Sequence, residues 1–221
     1  SFVDIWNTFG GKKVMDELNA DIISRENYDL YQKAKLAVGT IEEAFPSAVP
    51  EKIPVVGRAF KASNNAFTAM QYRMRVDIFD KYIEIAKKSG VDISDPKQLQ
   101  AIGKLVNSLT GRGNLGKAEG AADFFNNVFF SPRYMKSQFD VLTAHSLDPT
   151  MTVFARKQAA INLLKVISGT AAVLGVAKAV APESVDFDPR SANFGKIKIG
   201  NTRFDVTGGM SSFVTLASRL A

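Results

Sequence analysis

The chain has no cysteine and a single histidine, His145. The first absence removes disulfides, thiolate metal sites and cysteine nucleophiles, and leaves the redox compartment open. The second removes His-rich metal centres, so any general base would have to be His145 or a carboxylate. His145 lies in TAHSLDP, directly before a helix cap, where a polar surface residue is the simpler reading. Of the carboxylates, Asp77, Asp80 and Glu84 fall at helical spacing beside lysines, the pattern of a solvated, salt-bridged face. Strand patterning is equally scarce before Pro182, which bears on GRGNLG at Gly111 to Gly116. That string matches the pyrophosphate-cradling G-x-G-x-x-G, but the mechanism needs a preceding strand, and here a helix precedes it. The glycines are expected to make a flexible interhelical loop, with Arg112 and Lys117 as the residues that would touch a phosphate backbone. No catalytic residue, cofactor or metal site is expected.

What is present is an ordinary globular composition: 221 residues, 46% hydrophobic and 23% charged, with a formal net charge of +6. The charge biases the surface toward polyanions, nucleic acid or an anionic membrane, without specificity. The start, SFVDIWNTF, lacks the basic and apolar regions of a signal peptide, and the chain is expected to be a processed product or a piece of a longer one.

Helix signals dominate. Asp95-Pro96, Ser131-Pro132 and Asp148-Pro149 each place a capping side chain before a proline suited to the first helical turn. Leu99, Ile102, Val106 and Leu109 follow the first of these at helical spacing, and Gly111 is the stop. Met135, Phe139 and Leu142 form a stripe after the second, expected to pair with Ala121, Phe125, Val128 and Phe129. Pro54 to Ser89 reads as one helix of about 50 Å. Its stripe, Val56, Phe60, Phe67, Met70, Met74, Ile78, Tyr82 and Ile85, needs cover from several elements or another chain. Arg58, Lys61, Arg73, Arg75 and Lys81 are expected on its sides. Three prolines in Pro46 to Pro54 mark a hinge, so residues 1–50 are expected to be an N-terminal helical arm and 51–221 a helical module.

Past Pro182, KIKI and TRFDV flank Gly200-Asn201, a β-hairpin with a type II′ turn that puts Ile197 opposite Phe204. Lys196, Lys198, Arg203 and Asp205 occupy the other face. The apolar face is expected to dock on the chain's own helices, and the cationic face and strand edges to meet a partner. Met210 to Ala221 reads as a short helix with Phe213, Leu216, Ala217 and Leu220 on one side. The fold class is therefore mainly α: a multi-helix bundle with one long helix and a small C-terminal hairpin.

Ala159 to Ala181 is long enough, at about 35 Å as a helix, to cross a bilayer. Only Val166 to Ala177 is free of charge, though, and Lys165 would be costly in lipid, so a protein-buried central helix is the first expectation. Membrane contact is the second, through Leu163, Val166, Ile167, Val173, Leu174 and Val176. Gly169, Ala172, Gly175 and Ala179 line one flank, suited to close helix packing in water or lipid.

Three blocks carry a family resemblance: IPVVGRAFKASNNAFTAMQYRMRVDIFD from Ile53, FFNNVFFSPRYMKSQFDVL from Phe124, and VDFDPRSANFGKIKIGNTRFDVTGGMSSFVTLASRLA from Val185. In that order they resemble a conserved region of the very large polyvalent, or ejection, proteins of tailed bacteriophages and related mobile elements. The resemblance implies an internal virion protein packaged in the head and delivered into the host with the genome, located in the virion and then at the host envelope. It attaches no enzymatic residues to this region. The matching positions are structural: Gly57, Arg58, Ser131 to Arg133, Asp188 to Arg190, and Gly200-Asn201.

The expectation is thus a non-enzymatic structural module that contacts other virion proteins or copies of itself as an oligomer, through Phe60, Phe67, Met70 and Met74 and through Lys196, Lys198 and Arg203. The alternatives are a membrane- or periplasm-spanning conduit component for DNA ejection, and a non-specific DNA-binding structural protein.

Overall fold

The computed structural model describes residues 12–38, 56–115, 132–144 and 146–221, with backbone alone at 12–14, 56–62 and 64. Outside it lie the Pro46 to Pro54 hinge, the Ala121 to Phe129 stripe, Ser131, His145, Lys117 and the side chains of Arg58, Phe60 and Lys61. The described chain is mainly helical: α1 (Lys12–Ser24), α2 (Tyr28–Lys33), α3 (Val56–Lys88), α4 (Pro96–Leu109), α5 (Pro132–Thr143), α6 (Val153–Val180) and α7 (Met210–Leu220), with β1 (Lys196–Ile199) and β2 (Thr202–Asp205).

Two compact units divide the chain: residues 1–137 with 149–155, and 138–148 with 156–221. This differs from the division expected at residue 50. Leu18, Ile22, Tyr31 and Leu36 of the presumed arm are buried in the same unit as α3 and α4, and burial of that apolar area outweighs the proline-rich break in the sequence.

In the first unit α1 packs on α3, α3 on α4, and α2 on α4. Asp95 caps α4 as expected, accepting from the Lys97 backbone N–H at 2.9 Å, and Leu99, Ile102 and Val106 are buried. The core face of α3 matches the expected stripe only toward its C-terminal end, where Tyr82 is buried and Ile78 and Ile85 are half-buried. Tyr72, Val76, Phe79, Ile83 and Ala86 are buried, whereas Phe67, Met70 and Met74 are 51%, 50% and 37% exposed. Arg75, expected on a side of the rod, is fully buried with Thr110 and Ala37 as its partners. Asp77 and Asp80 also find an unexpected partner. Arg25 of the loop after α1 reaches them at 2.7 and 3.1 Å, and Asp80 accepts from Asn27 and the Tyr31 hydroxyl, so only Glu84 pairs with a lysine, Lys88. Burial would lower the Arg25 pKa, but its bonds to Asp77, Asp21 and Asp80 outweigh that and raise it.

A helix does precede the glycine string, and Gly111 ends it at φ +82°. Gly113 is packed against α5. Its N–H donates to the Arg133 carbonyl at 3.0 Å, and a Cβ there would lie 2.5 Å from the Ser137 nitrogen, so only glycine lets this backbone rest on the first turn of α5. On α5 the expected stripe is largely outward: Met135 and Phe139 are exposed, while Ser137, Gln138 and Asp140 are buried. After Asp148-Pro149 the chain makes a turn, and α6 starts only at Val153, with Thr152 Oγ1 accepting from the Ala155 N–H.

Candidate functional site

In the second unit the hairpin has the expected register, Ile197 opposite Phe204 and Lys198 opposite Arg203. Gly200 takes φ +58° and Asn201 a negative φ, as a Gly-first type II′ turn requires. Its apolar face is only partly covered: Ile197 is half-buried, and β1 contacts the short turn Pro182–Ser184. Phe204 is 49% exposed, and β1 is also held by an isolated bridge from buried Val185 to Ile197. The edge of β1 is thereby partly covered, because Val185 and Asp186 follow α6 closely enough to reach it. Behind the hairpin, Gln138 donates to the Gly208 carbonyl, Phe213 meets Phe139 with ring centroids 6.4 Å apart, and Arg219 and Thr215 donate to the carbonyls of Arg190 and Ser191. Leu216 and Leu220 stay exposed on α7.

The largest departure from expectation is α6. It runs for 28 residues, about 42 Å, and its most apolar 18 residues have a mean hydropathy of 1.7 with only 11% of them buried. Among the described residues α6 is therefore not buried, against the first expectation of a protein-buried central helix. Leu164, Ile167, Val173, Val176 and Val180 are exposed, Leu163 and Val166 half-buried, and Leu174 alone of the expected contact residues is buried. Apolar side chains lie all round the helix rather than on one stripe, a pattern found in helices enclosed by protein or lipid. A Cβ built on Gly169 or Gly175 meets no atom within 4 Å, so the small-residue flank faces open space. The charges of α6 are all positive: Arg156, Lys157, Lys165 and Lys178.

At the C-terminal end of α6 the chain turns through Pro182–Ser184, where the Ser184 hydroxyl donates to the Ala177 carbonyl at 3.1 Å and satisfies part of the helix terminus. A cleft of about 420 Å³ opens between this turn and the hairpin. Lys178, Lys196, Lys198 and Arg203 line it, with Glu183 and Asp186 as its carboxylates. Lys178 Nζ lies 3.3 Å from the Val185 carbonyl and 6.0 Å from the Phe187 ring centroid. Asp186 is engaged locally: the Ser191 hydroxyl and then the Asp188 N–H hold its carboxyl below the usual range.

The structure thus joins Lys196, Lys198 and Arg203, expected as a contact face from the sequence, to Lys178, whose only signal in the sequence is that it ends the uncharged stretch Val166 to Ala177. Phe67, Met70 and Met74 belong to the other unit. Among the described residues no group of acidic or histidine side chains could hold a metal ion. No protein-family model, curated protein or solved structure matches the chain.

Proposed function

We propose that the chain is a non-enzymatic structural module of an internal virion protein of a tailed phage, and that α6 is the segment by which it enters the host envelope during genome delivery. The exposure of α6 carries this reading, since an isolated apolar helix of this length is stable only when protein or lipid encloses it. The bacteriophage context comes from the family resemblance alone. Lys165 and Lys178 bound the uncharged stretch from Val166 to Ala177, which at about 18 Å is shorter than the hydrocarbon layer of about 30 Å. Their long stems let both ammonium groups reach the headgroups while their own turns sit in hydrocarbon. The open flank of Gly169, Ala172, Gly175 and Ala179 suits close approach of a second α6, so copies of the chain would assemble within the bilayer.

Flotation of the purified chain with neutral phosphatidylcholine vesicles, followed by proteolysis, tests the reading. The wild type should float, with α6 protected from cleavage. Val173→Asp combined with Val176→Asp should stay in the aqueous fraction, each carboxylate costing roughly 3 kcal/mol near the bilayer centre. A wild type that remains in the aqueous fraction, or an α6 cleaved equally with and without vesicles, overturns it.

A further inference from the structure

We propose that the cleft between the end of α6 and the hairpin binds a phosphate group, supplied by the headgroup of an anionic phospholipid. The inference rests on the membrane reading of α6 for the source of the phosphate, but the phosphate chemistry stands on the cleft itself.

The first observation is a conflict inside the hairpin. Lys198 and Arg203 are directly opposed across the two strands, and among the described residues neither side chain has a hydrogen-bond or ion-pair partner. Like charges in that position repel and weaken a two-stranded sheet that is already marginal. Nothing in the packing needs them there, since both residues are exposed. An anion placed between them turns the repulsion into two attractions.

The second observation is the make-up of the cleft. Its cations are Lys178, Lys196, Lys198 and Arg203, and its carboxylates are Glu183 and Asp186. Asp186 already accepts from Ser191 and Asp188, which leaves Glu183 as the only other counter-charge on the lining. Lys178 and Lys196 donate to the backbone carbonyls of Val185 and Ala192, and the Lys178 charge also acts on Asp186, so the uncompensated cations of the cleft are chiefly those of the hairpin. The planar Arg203 guanidinium matches the oxygens of a phosphate bidentately, and lysines add point charges around it.

The third observation is position. Lys178 belongs to the last turn of α6, so a bilayer that takes in α6 brings its phosphate layer to the mouth of the cleft. Four basic residues at that level would make the C-terminal end of α6 the anchored end, in the manner of juxtamembrane cations.

The test compares partitioning of the full chain onto phosphatidylcholine vesicles with and without phosphatidylglycerol, alongside amide NMR shifts of Lys196 to Asp205 on adding inorganic phosphate. Lys198→Gln with Arg203→Gln should lower the preference for anionic vesicles about tenfold and leave binding to neutral vesicles unchanged. Removing the same two charges from α3, by Lys81→Gln with Lys87→Gln, should change the preference much less. Inorganic phosphate should shift the hairpin amides of the wild type and not those of the cleft variant. Equal losses in the two double variants, or a hairpin unmoved by phosphate, overturn the site. Hairpin shifts without any anionic-vesicle preference overturn the lipid source and assign the cleft to a free phosphate. A chain that ignores neutral vesicles yet shows the phosphate shifts instead removes the membrane role of α6.

Discussion

Arg75 donates its Nε–H to Thr110 Oγ1 at 2.8 Å, joining the middle of α3 to the residue that ends α4 while both side chains are buried. The same guanidinium donates to the Ala37 carbonyl, so one side chain holds three segments together. A buried cation satisfied in this way leaves several polar groups orphaned when it is removed. Arg75→Ala should cost about 3 kcal/mol or more, and Thr110→Val about 1–3 kcal/mol. Urea unfolding should show both as lower midpoints with Arg75→Ala the larger. Equal stability of Arg75→Ala and the wild type would show that the arginine does not organise this core.

Two glycines should respond in opposite directions to the same substitution. A Cβ on Gly103 would lie 2.0 Å from the Ala34 carbonyl oxygen, a backbone atom that cannot swing away, so Gly103→Ala should destabilise the first unit by about 1–3 kcal/mol through forced separation of α2 from α4. On α6, Gly169 has open space around it, and Gly169→Ala should firm the helix by up to about 1 kcal/mol through propensity. Circular dichroism on thermal unfolding reads both. A shared sign would contradict the placement of one of them.

These contrasts mark what the residues disclosed and what they withheld. The hairpin register followed from Gly200-Asn201, because a two-residue turn fixes every pair beyond it, and α4 followed from Asp95-Pro96 and its stripe. Part of the core face of α3 was missed because that helix is apolar on more than one side. Phe67, Met70 and Met74 continue smoothly to Ile78 and Tyr82 at helical spacing, and periodicity within one helix does not say which face its neighbours cover. Arg75 was read as a surface charge because its partners, Ala37 and Thr110, lie far from it in sequence. Burial of α6 was expected from its lysines, whereas among the described residues little packs against it. The cleft assembles Lys178, the 183–187 turn and the hairpin, and only the hairpin carried a signal of its own.

Tyr31 gives a pH signature. Burial first, and then its hydrogen bond to Asp80, push its phenol pKa well above the ordinary value of 10.0, so the proton stays on the hydroxyl where other tyrosines lose theirs. A raised folded-state value means stability that is fully present below about pH 10 and lost as the pH climbs toward the folded value. The stability difference between wild type and Tyr31→Phe should therefore be flat up to about pH 10 and then shift steadily against the wild type. Spectrophotometric titration of the wild type against Tyr31→Phe should assign to Tyr31 an ionisation above the ordinary tyrosine range. An ionisation assigned to Tyr31 at the ordinary value would show that burial and Asp80 do not hold its proton.

The two faces of α3 supply the sharpest separation of folding from association. Phe79 is fully buried, edge-on to Tyr31 with centroids 5.5 Å apart, and its loss opens a cavity between α3 and the helices packed on it. Phe79→Ala should cost about 3–5 kcal/mol. Phe67 lies on the same helix but is half-exposed, so Phe67→Asp gives up little intramolecular burial and should stay within about 0.5 kcal/mol of the wild type. With Met70 and Met74 it forms an apolar strip along one side of α3, and if that strip meets other copies of the chain or another virion protein, a carboxylate at its centre would be desolvated in the contact without a partner. Sedimentation velocity on Phe67→Asp should then show a smaller assembly at unchanged melting temperature. Coupled loss of stability and mass would place Phe67 in the fold, and unchanged mass with unchanged stability would remove the strip from the contact surfaces of this chain.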